Sequence, residues 1–345
     1  MSRHVNIPVF IPHLGCPNQC VFCNQRTISG TREFDSDRLT EIIDGALATV
    51  EDDATVEIAF FGGSFTGIDR DLMMQLLQSA YGYVTAGRVK SIRCSTRPDY
   101  INGEILSILK KYGVKVIELG LQSTSDRVLS TTKRGHDFEC ERLACEMIVK
   151  AGFTLVGQMM IGLPGATPED ELETARFIIS CGAEGARIYP TVVFYGTELC
   201  HMAERGEYTP LELEEAISRS AAVYELFIKN NISVIRVGLC ASENLASEST
   251  YHSGPNHPAV GELVLNEFYR RNITERAKAL SLSDNDIIKI TVARGMLSQA
   301  IGQKKRNKLL LTGELGVKDV RFAEDGRPSG FEFLLEVEAG EKKCT

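Results

Sequence analysis

Val56-Glu57-Ile58-Ala59-Phe60-Phe61, followed at once by Gly62-Gly63-Ser64-Phe65, reads as a strand that ends in a glycine turn. The six residues are nearly all apolar and lack in–out alternation, as expected of a strand covered on both faces. A helical pattern follows over 69–84, and the same unit recurs on either side. Strand-like runs fall near 5–12, 89–95, 115–121, 153–162 and 185–190, with helical runs near 37–50, 101–112, 136–151 and 168–181. Asp35, Ser36 and Asp37 offer helix starts, and Gly113 and Gly152 offer stops. Such alternation predicts an α/β fold with a parallel sheet. Six βα units fit either a doubly wound sheet or an incomplete TIM-type (β/α)6 barrel. Both place chemistry at the carboxyl ends of the strands.

The unusual residues fall at those ends. A cysteine loop follows the first strand, Gly62-Gly63-Ser64-Phe65 the second and Ser95-Thr96-Arg97-Pro98-Asp99 the third. Gln122-Ser123 closes the fourth, Gly162-Leu163-Pro164-Gly165 follows the fifth, and Tyr189-Pro190 ends the sixth. One composite site is expected. Further on, 209–230 is helical, 232–239 reads as another strand, and 240–260 is a loop rich in Ser, Asn, His, Gly and Pro. A second unit then runs through a helix at 259–280, a strand at 286–293, a helical stretch at 295–311, and strands at 317–322 and near 331–338. The expected division is a barrel over 1–240, a linker and helix over 241–285, and a small α/β unit over 286–345.

The 345 residues carry a formal net charge of −8, which argues against a generally basic nucleic-acid-binding surface. No apolar run reaches the roughly 20 residues of a membrane span. Met1-Ser2-Arg3-His4 leads into the first strand without a signal-peptide pattern, so a cytoplasmic protein without a membrane partner is expected. Seven of the ten cysteines, at 94, 140, 145, 181, 200, 240 and 344, are scattered and read as core or incidental thiols.

The other three form Cys16-Pro-Asn-Gln-Cys20-Val-Phe-Cys23. Closely spaced thiolates ligate iron–sulfur clusters and also zinc. Structural zinc normally takes a fourth Cys or His from a second short pair, and only His13 lies close. Three thiolates suit a cubane with one iron left open. CxxxCxxC with Phe22 before the last cysteine resembles the signature of the radical S-adenosylmethionine (SAM) superfamily. The resemblance implies a [4Fe–4S] cluster held by Cys16, Cys20 and Cys23, with SAM on the open iron. It also implies a low-potential electron donor of the flavodoxin or ferredoxin type.

A longer resemblance, over about residues 5–240, is to the radical SAM domain of the Elongator catalytic subunit. It rests on Thr96-Arg97-Pro98-Asp99-Tyr100, Glu118-Leu-Gly-Leu-Gln122-Ser123, Arg134-Gly135-His136, Ala151-Gly152-Phe153, Met159-Met160 and Ile188-Tyr189-Pro190-Thr191 with Gly196-Thr197. Oxygen-independent coproporphyrinogen oxidase shares the Gln-Ser and Gly-Leu-Pro stretches. The implied SAM-binding set is Gly62, Gly63, Ser64, Phe65, Ser95, Gln122, Arg134, Gln158, Gly162 and Leu163. An arginine fork suits the carboxylate of SAM, and amides suit its ribose hydroxyls. A plainer reading makes Arg134 a solvated charge and Gln122 a polar strand cap. Ser95 stands where the Elongator pattern has Glu, so a ribose-binding carboxylate is missing or comes from elsewhere. No acetyltransferase domain of the Elongator kind is expected, so the Elongator modification is not expected to carry over.

Near the C-terminus, Gly302-Gln303-Lys304-Lys305-Arg306-Asn307-Lys308 is a basic turn between helices that resembles a KH module, which clamps a nucleic-acid backbone with a GxxG turn. The alternative is a lid over the barrel mouth. The expected function is reductive cleavage of SAM to a 5′-deoxyadenosyl radical that modifies an RNA or nucleotide-derived substrate, with 302–308 meeting RNA. The rivals are a radical SAM enzyme of small metabolites and a non-catalytic, metal-stabilised RNA-binding protein.

Overall fold

The computed structural model describes residues 4–11, 16, 20–24, 35–51, 53–239 and 250–338. His13, Cys240 and Cys344 lie outside the described residues, as do residues 240–249 of the 240–260 loop. By their contacts the residues divide into two compact units, 1–216 with 226–258, and 217–225 with 259–345. Among the described residues, no helix is long and apolar enough to cross a membrane.

The first unit is a sheet of seven parallel strands: β1 (His4–Phe10), β2 (Thr55–Phe61), β3 (Ser91–Thr96), β4 (Val114–Gln122), β5 (Thr154–Ile161), β6 (Gly185–Pro190) and β8 (Ser233–Val237). They lie side by side in chain order, and every pairing is parallel. Among the described residues β1 and β8 are the edges. This is the incomplete barrel of the expectation, and the run at 232–239 joins it as a seventh strand.

The helices between strands are α1 (Leu39–Leu47), α2 (Arg70–Thr85), α3 (Gly103–Lys111), α4 (Asp126–Thr131), α5 (Phe138–Lys150) and α6 (Pro168–Ser180). Side-chain oxygens of Asp69, Asn102, Asp137 and Thr167 accept from the exposed first-turn amides of α2, α3, α5 and α6. α6 also has a capping box with Asp170. It packs so closely that a Cβ on Gly157 of β5 would lie 2.7 Å from the Ile178 side chain. Only glycine fits there. After β6 the chain makes β7 (Val193–Phe194), α7 (Glu198–Glu204) and α8 (Leu213–Lys229), and β7 pairs antiparallel with β9 (Tyr251–Ser253).

The second unit contains residues 217–225 of α8, α9 (Val260–Lys278), β10 (Ile287–Ala293), α10 (Leu297–Ile301), α11 (Arg306–Leu315), β11 (Asp319–Asp325) and β12 (Phe333–Glu338). Its sheet order is β11-β10-β12, with β10 parallel to β11 and antiparallel to β12. Tyr224, Phe268 and Phe331 meet with ring centroids 5.4–5.8 Å apart. Offset aromatic edges of this kind pack a core favourably. α9, the helix expected at 259–280, is one of the unit's packed elements. The helical stretch expected at 295–311 is broken at Gly302 into α10 and α11.

Candidate active site

The barrel interior carries charges that the sequence disguises as strand residues. Glu118 of β4 is fully buried and receives Arg93 Nη1 of β3 at 3.0 Å, Arg187 Nη2 of β6 at 3.1 Å and Gln158 Nε2 of β5 at 3.0 Å. Arg93 also forks onto Glu57 of β2, which accepts from Ser91 and meets His4 Nε2 of β1 at 2.8 Å. Burial alone would raise the Glu57 carboxyl; the bonds from Ser91 and Arg93 outweigh it and hold it below its ordinary value. One chain of charge-assisted bonds therefore crosses six neighbouring strands. Gln158 also donates to Ser95 Oγ at 3.2 Å, so Ser95, Gln158 and Glu118 form the upper edge of this layer. Glu118 pairs in register with Ser95, yet its oxygens are already held by two guanidinium groups and an amide. It does not supply a free carboxylate in place of the absent Glu.

Nearer the strand ends, two buried arginines converge on the cysteine loop. Arg134 Nη1 lies 3.3 Å and Arg97 Nη1 3.7 Å from Cys20 Sγ. Arg97 is aimed by Asp99, whose two oxygens accept from Nε and Nη2 at 2.9 Å each. Behind Asp99 stands His136, whose Nε2 meets the buried Glu141 of α5 at 3.1 Å. Burial pushes the Glu141 carboxyl up to about 7. For His136, hydrogen bonds to Asp99 and Glu141 outweigh burial and raise the imidazole. The second-strand loop joins this group: the Ser64 amide donates to the Cys16 sulfur, while Ser64 Oγ bonds Thr96 Oγ1 at 2.9 Å. Burial still raises the Cys16 thiol, against that amide and the two arginines.

This donor set fits a cluster. Three thiols in one loop offer soft ligands and no carboxylate, and two guanidinium groups neutralise the thiolate charge. Unpaired polar atoms fit a further polar ligand. Gln122 Oε1 and Arg134 Nε are buried without a hydrogen-bond partner, although Arg134 Nη2 donates to the Gly120 carbonyl at 2.5 Å. Gln122 also has φ 74°, a left-handed backbone that is unfavourable for a side-chain-bearing residue and concentrates at binding sites. Arg134 is buried, which overturns its reading as a solvated charge.

Other members of the expected set do structural work. Phe65 is buried and stacked on Phe60 at 4.4 Å. Gly62 has φ +105°, and a Cβ there would lie 3.0 Å from the Ile11 backbone, so the end of β1 itself requires glycine; Gly63 is half-buried beside it. Gly162 is braced by Glu171 Oε1 on its amide and by Tyr208 OH on its carbonyl, each at 2.7 Å, with Leu163 buried next to it. Tyr208 packs on Val21 of the cysteine loop, so this turn reaches the cysteines through a second layer. Sequence reasoning left Arg93, Glu118 and Arg187 without roles. Their signal was a charge inside an otherwise apolar strand, which must find a partner when buried.

Residues 10–178 match the family model for the radical SAM superfamily, and 183–270 match the Radical SAM C-terminal domain. An uncharacterized protein of Methanocaldococcus jannaschii is 31% identical over 224 residues, 61% of this chain and 68% of that protein. The tRNA uridine(34) acetyltransferase of the same organism is 30% identical over 182 residues, 47% of this chain and only 34% of that enzyme. Elp3 of Methanocaldococcus infernus, solved with its N-terminus deleted, has the same fold. Its TM-score is 0.62 at 20% identity, covering 83% of this chain and 67% of that one. With family membership the non-catalytic alternative falls. The chain belongs to the radical SAM superfamily, whose enzymes work with a [4Fe–4S] cluster and SAM.

Proposed function

We propose that this enzyme modifies RNA, holding its cluster on Cys16, Cys20 and Cys23 and SAM beside Gln122, Arg134 and Gln158. When bound, the reduced cluster supplies the electron that splits SAM into methionine and a 5′-deoxyadenosyl radical. A flavodoxin or ferredoxin is the proposed electron donor. Arg97 and Arg134 hold positive charge at the thiolates, while the barrel walls exclude water from the radical. The unpartnered atoms of Gln122 and Arg134 support their assignment to SAM. Arg134→Ala is expected to weaken SAM binding by about 1.5–3 kcal/mol, the worth of a hydrogen bond to a charged group. Calorimetric titration of the iron-loaded protein reads this; unchanged affinity at full iron content would leave Arg134 as a support for Cys20 alone.

The observation that carries the RNA reading is the basic turn of the second unit. Lys304, Lys305 and Arg306 are exposed, and no acid among the described residues pairs with them. The turn is strained: Lys304 has φ 51° and Lys305 φ 62°. Buried Asn307 donates to the carbonyls of Asn266 at 2.7 Å and Ala300 at 2.9 Å, and Asn266 Oδ1 accepts from the Gln303 amide at 3.2 Å. Such a turn presents three cations at fixed spacing to a phosphate backbone. Lys308, expected to join them, instead pairs with Asp319 at 2.9 Å. The tRNA modification named for the Methanocaldococcus relative supports the same substrate class.

Three contacts to single-stranded RNA predict a slope of log affinity against log salt near −2, at about −0.7 per phosphate. Filter binding of bulk tRNA at several salt concentrations reads it. K304A/K305A/R306A is expected to flatten the slope while iron content stays unchanged. Absence of salt-dependent binding would transfer the radical chemistry to a small metabolite.

A further inference from the structure

Cys200, on α7, belongs to the expected set of incidental thiols, yet its surroundings are those of a ligand. Cys200 and Glu204 lie one helical turn apart and face the same way, with Cys200 Sγ 3.7 Å from Glu204 Oε1. Across from them stands His252 of β9. One ligand atom from each of the three lies within 4.8 Å of the other two. A tetrahedral zinc ion with ligands at about 2.0–2.3 Å holds its donors about 3.3–3.8 Å apart, so small side-chain movements would close the set. His252 Nδ1 is engaged by Ser253 Oγ at 2.7 Å, and the Tyr195 ring lies edge-on with its centroid 5.2 Å away. With Nε2 as the metal ligand, this bond would be the support that a bound imidazole requires at its second nitrogen. His201, bonded through Nδ1 to Glu204 Oε2 at 3.2 Å, orients the carboxylate from its outer side.

We propose that Cys200, Glu204 and His252 form a second metal site, for zinc(II), separate from the cysteine loop. The donor set of one thiolate, one imidazole and one carboxylate is borderline in softness and carries two negative charges, which suits zinc better than magnesium, calcium or copper(I). Its place in the fold gives it a purpose. Among the described residues the β7–β9 ribbon pairs Val193 with Ser253 and Phe194 with Tyr251, and the Tyr195 amide donates to the Thr250 carbonyl at 3.0 Å, too little to be stable in water by itself. The metal fastens this ribbon to α7. On its other side α7 supports the cysteine loop: the Leu199 amide donates to the Val21 carbonyl at 2.8 Å, and Val21 packs with Leu199 and Cys200. With water in the fourth position of its tetrahedron, the zinc is therefore a brace one layer behind Cys20 and Cys23.

The test counts metals in the full chain after anaerobic iron–sulfide reconstitution, zinc loading and dialysis against a weak chelator. With iron filling the cysteine loop, the wild type is expected to retain about one zinc per chain. C200S and H252A should each lose zinc at least tenfold while iron and sulfide stay at the wild-type level. Should either variant fail to fold by circular dichroism, E204Q replaces it. Glu204 is half exposed and tolerates the change, so a tenfold weaker zinc affinity in a folded chain is the expected result. Wild-type protein that keeps its iron but retains no zinc overturns the site. Zinc that persists in these variants overturns it equally, wherever that zinc is bound.

Discussion

Replacing Cys16, Cys20 and Cys23 together by Ala is expected to take iron and sulfide from about four of each per chain to none, after anaerobic reconstitution. The effect is all-or-none because the other described thiols are scattered over β3, α5, the end of α6 and α7 and are not gathered in one loop. Cys94 is fully buried in β3, and Cys145 is buried in α5. Cys140, on the same helix, is pushed up to about 11 by burial and by the charges of Asp99, Asp137 and Glu141, so it offers little thiolate. Cys140→Ala and Cys145→Ala should leave iron content unchanged. If either removed the cluster as completely as the triple variant, the assignment of the loop would be wrong.

Glu118→Ala is expected to destabilise the first unit by about 3–5 kcal/mol, because it leaves buried positive charge unpaired. Arg93 keeps Glu57 as a partner, but Arg187 loses its ion pair and keeps neutral contacts, a hydrogen bond with Tyr189 and the face of Phe61 5.4 Å away. For a body of this size the melting temperature should fall by roughly 6–20 °C. Glu118→Gln, which keeps the shape and one acceptor, should cost less. As a control, Glu139→Ala removes an ion pair at the surface of α5, where both partners are well exposed, and should leave melting where it was. A melting change for Glu118→Ala as small as the control's would mean that water reaches the interior arginines.

Much of this was legible in the sequence because it is local. The strand and helix boundaries follow from apolar runs, caps and glycines, and β6 falls at 185–190, where the sequence put it. The proposed chemistry of the cysteine loop is local in the same way, since it rests on eight consecutive residues. Cross-strand relations are not local. Glu57, Arg93, Glu118 and Arg187 each sit alone in an apolar run, and only the lateral register of the sheet makes them a chain. The pairing of Lys308 with Asp319 depends in the same way on how α11 packs beside β11. Cys200 and His252 meet only because a two-residue ribbon folds β9 back along β7. Arg97 was within a quoted motif, but its aim at Cys20 depends on Asp99 and His136, which α5 and the third-strand loop bring together. The short helix α4 had no expectation at all; six residues carry too little periodicity to be read.

The central claim is that Cys16, Cys20 and Cys23 hold a cluster that cleaves SAM. It is tested most directly by release of 5′-deoxyadenosine from SAM by dithionite-reduced, anaerobically reconstituted protein, compared with the same chain carrying C16A, C20A and C23A. The account predicts slow release by the wild type even without substrate, and none by the triple variant. A wild-type chain that carries stoichiometric zinc in place of iron and releases nothing would contradict it, as would a triple variant that releases the nucleoside as fast as the wild type.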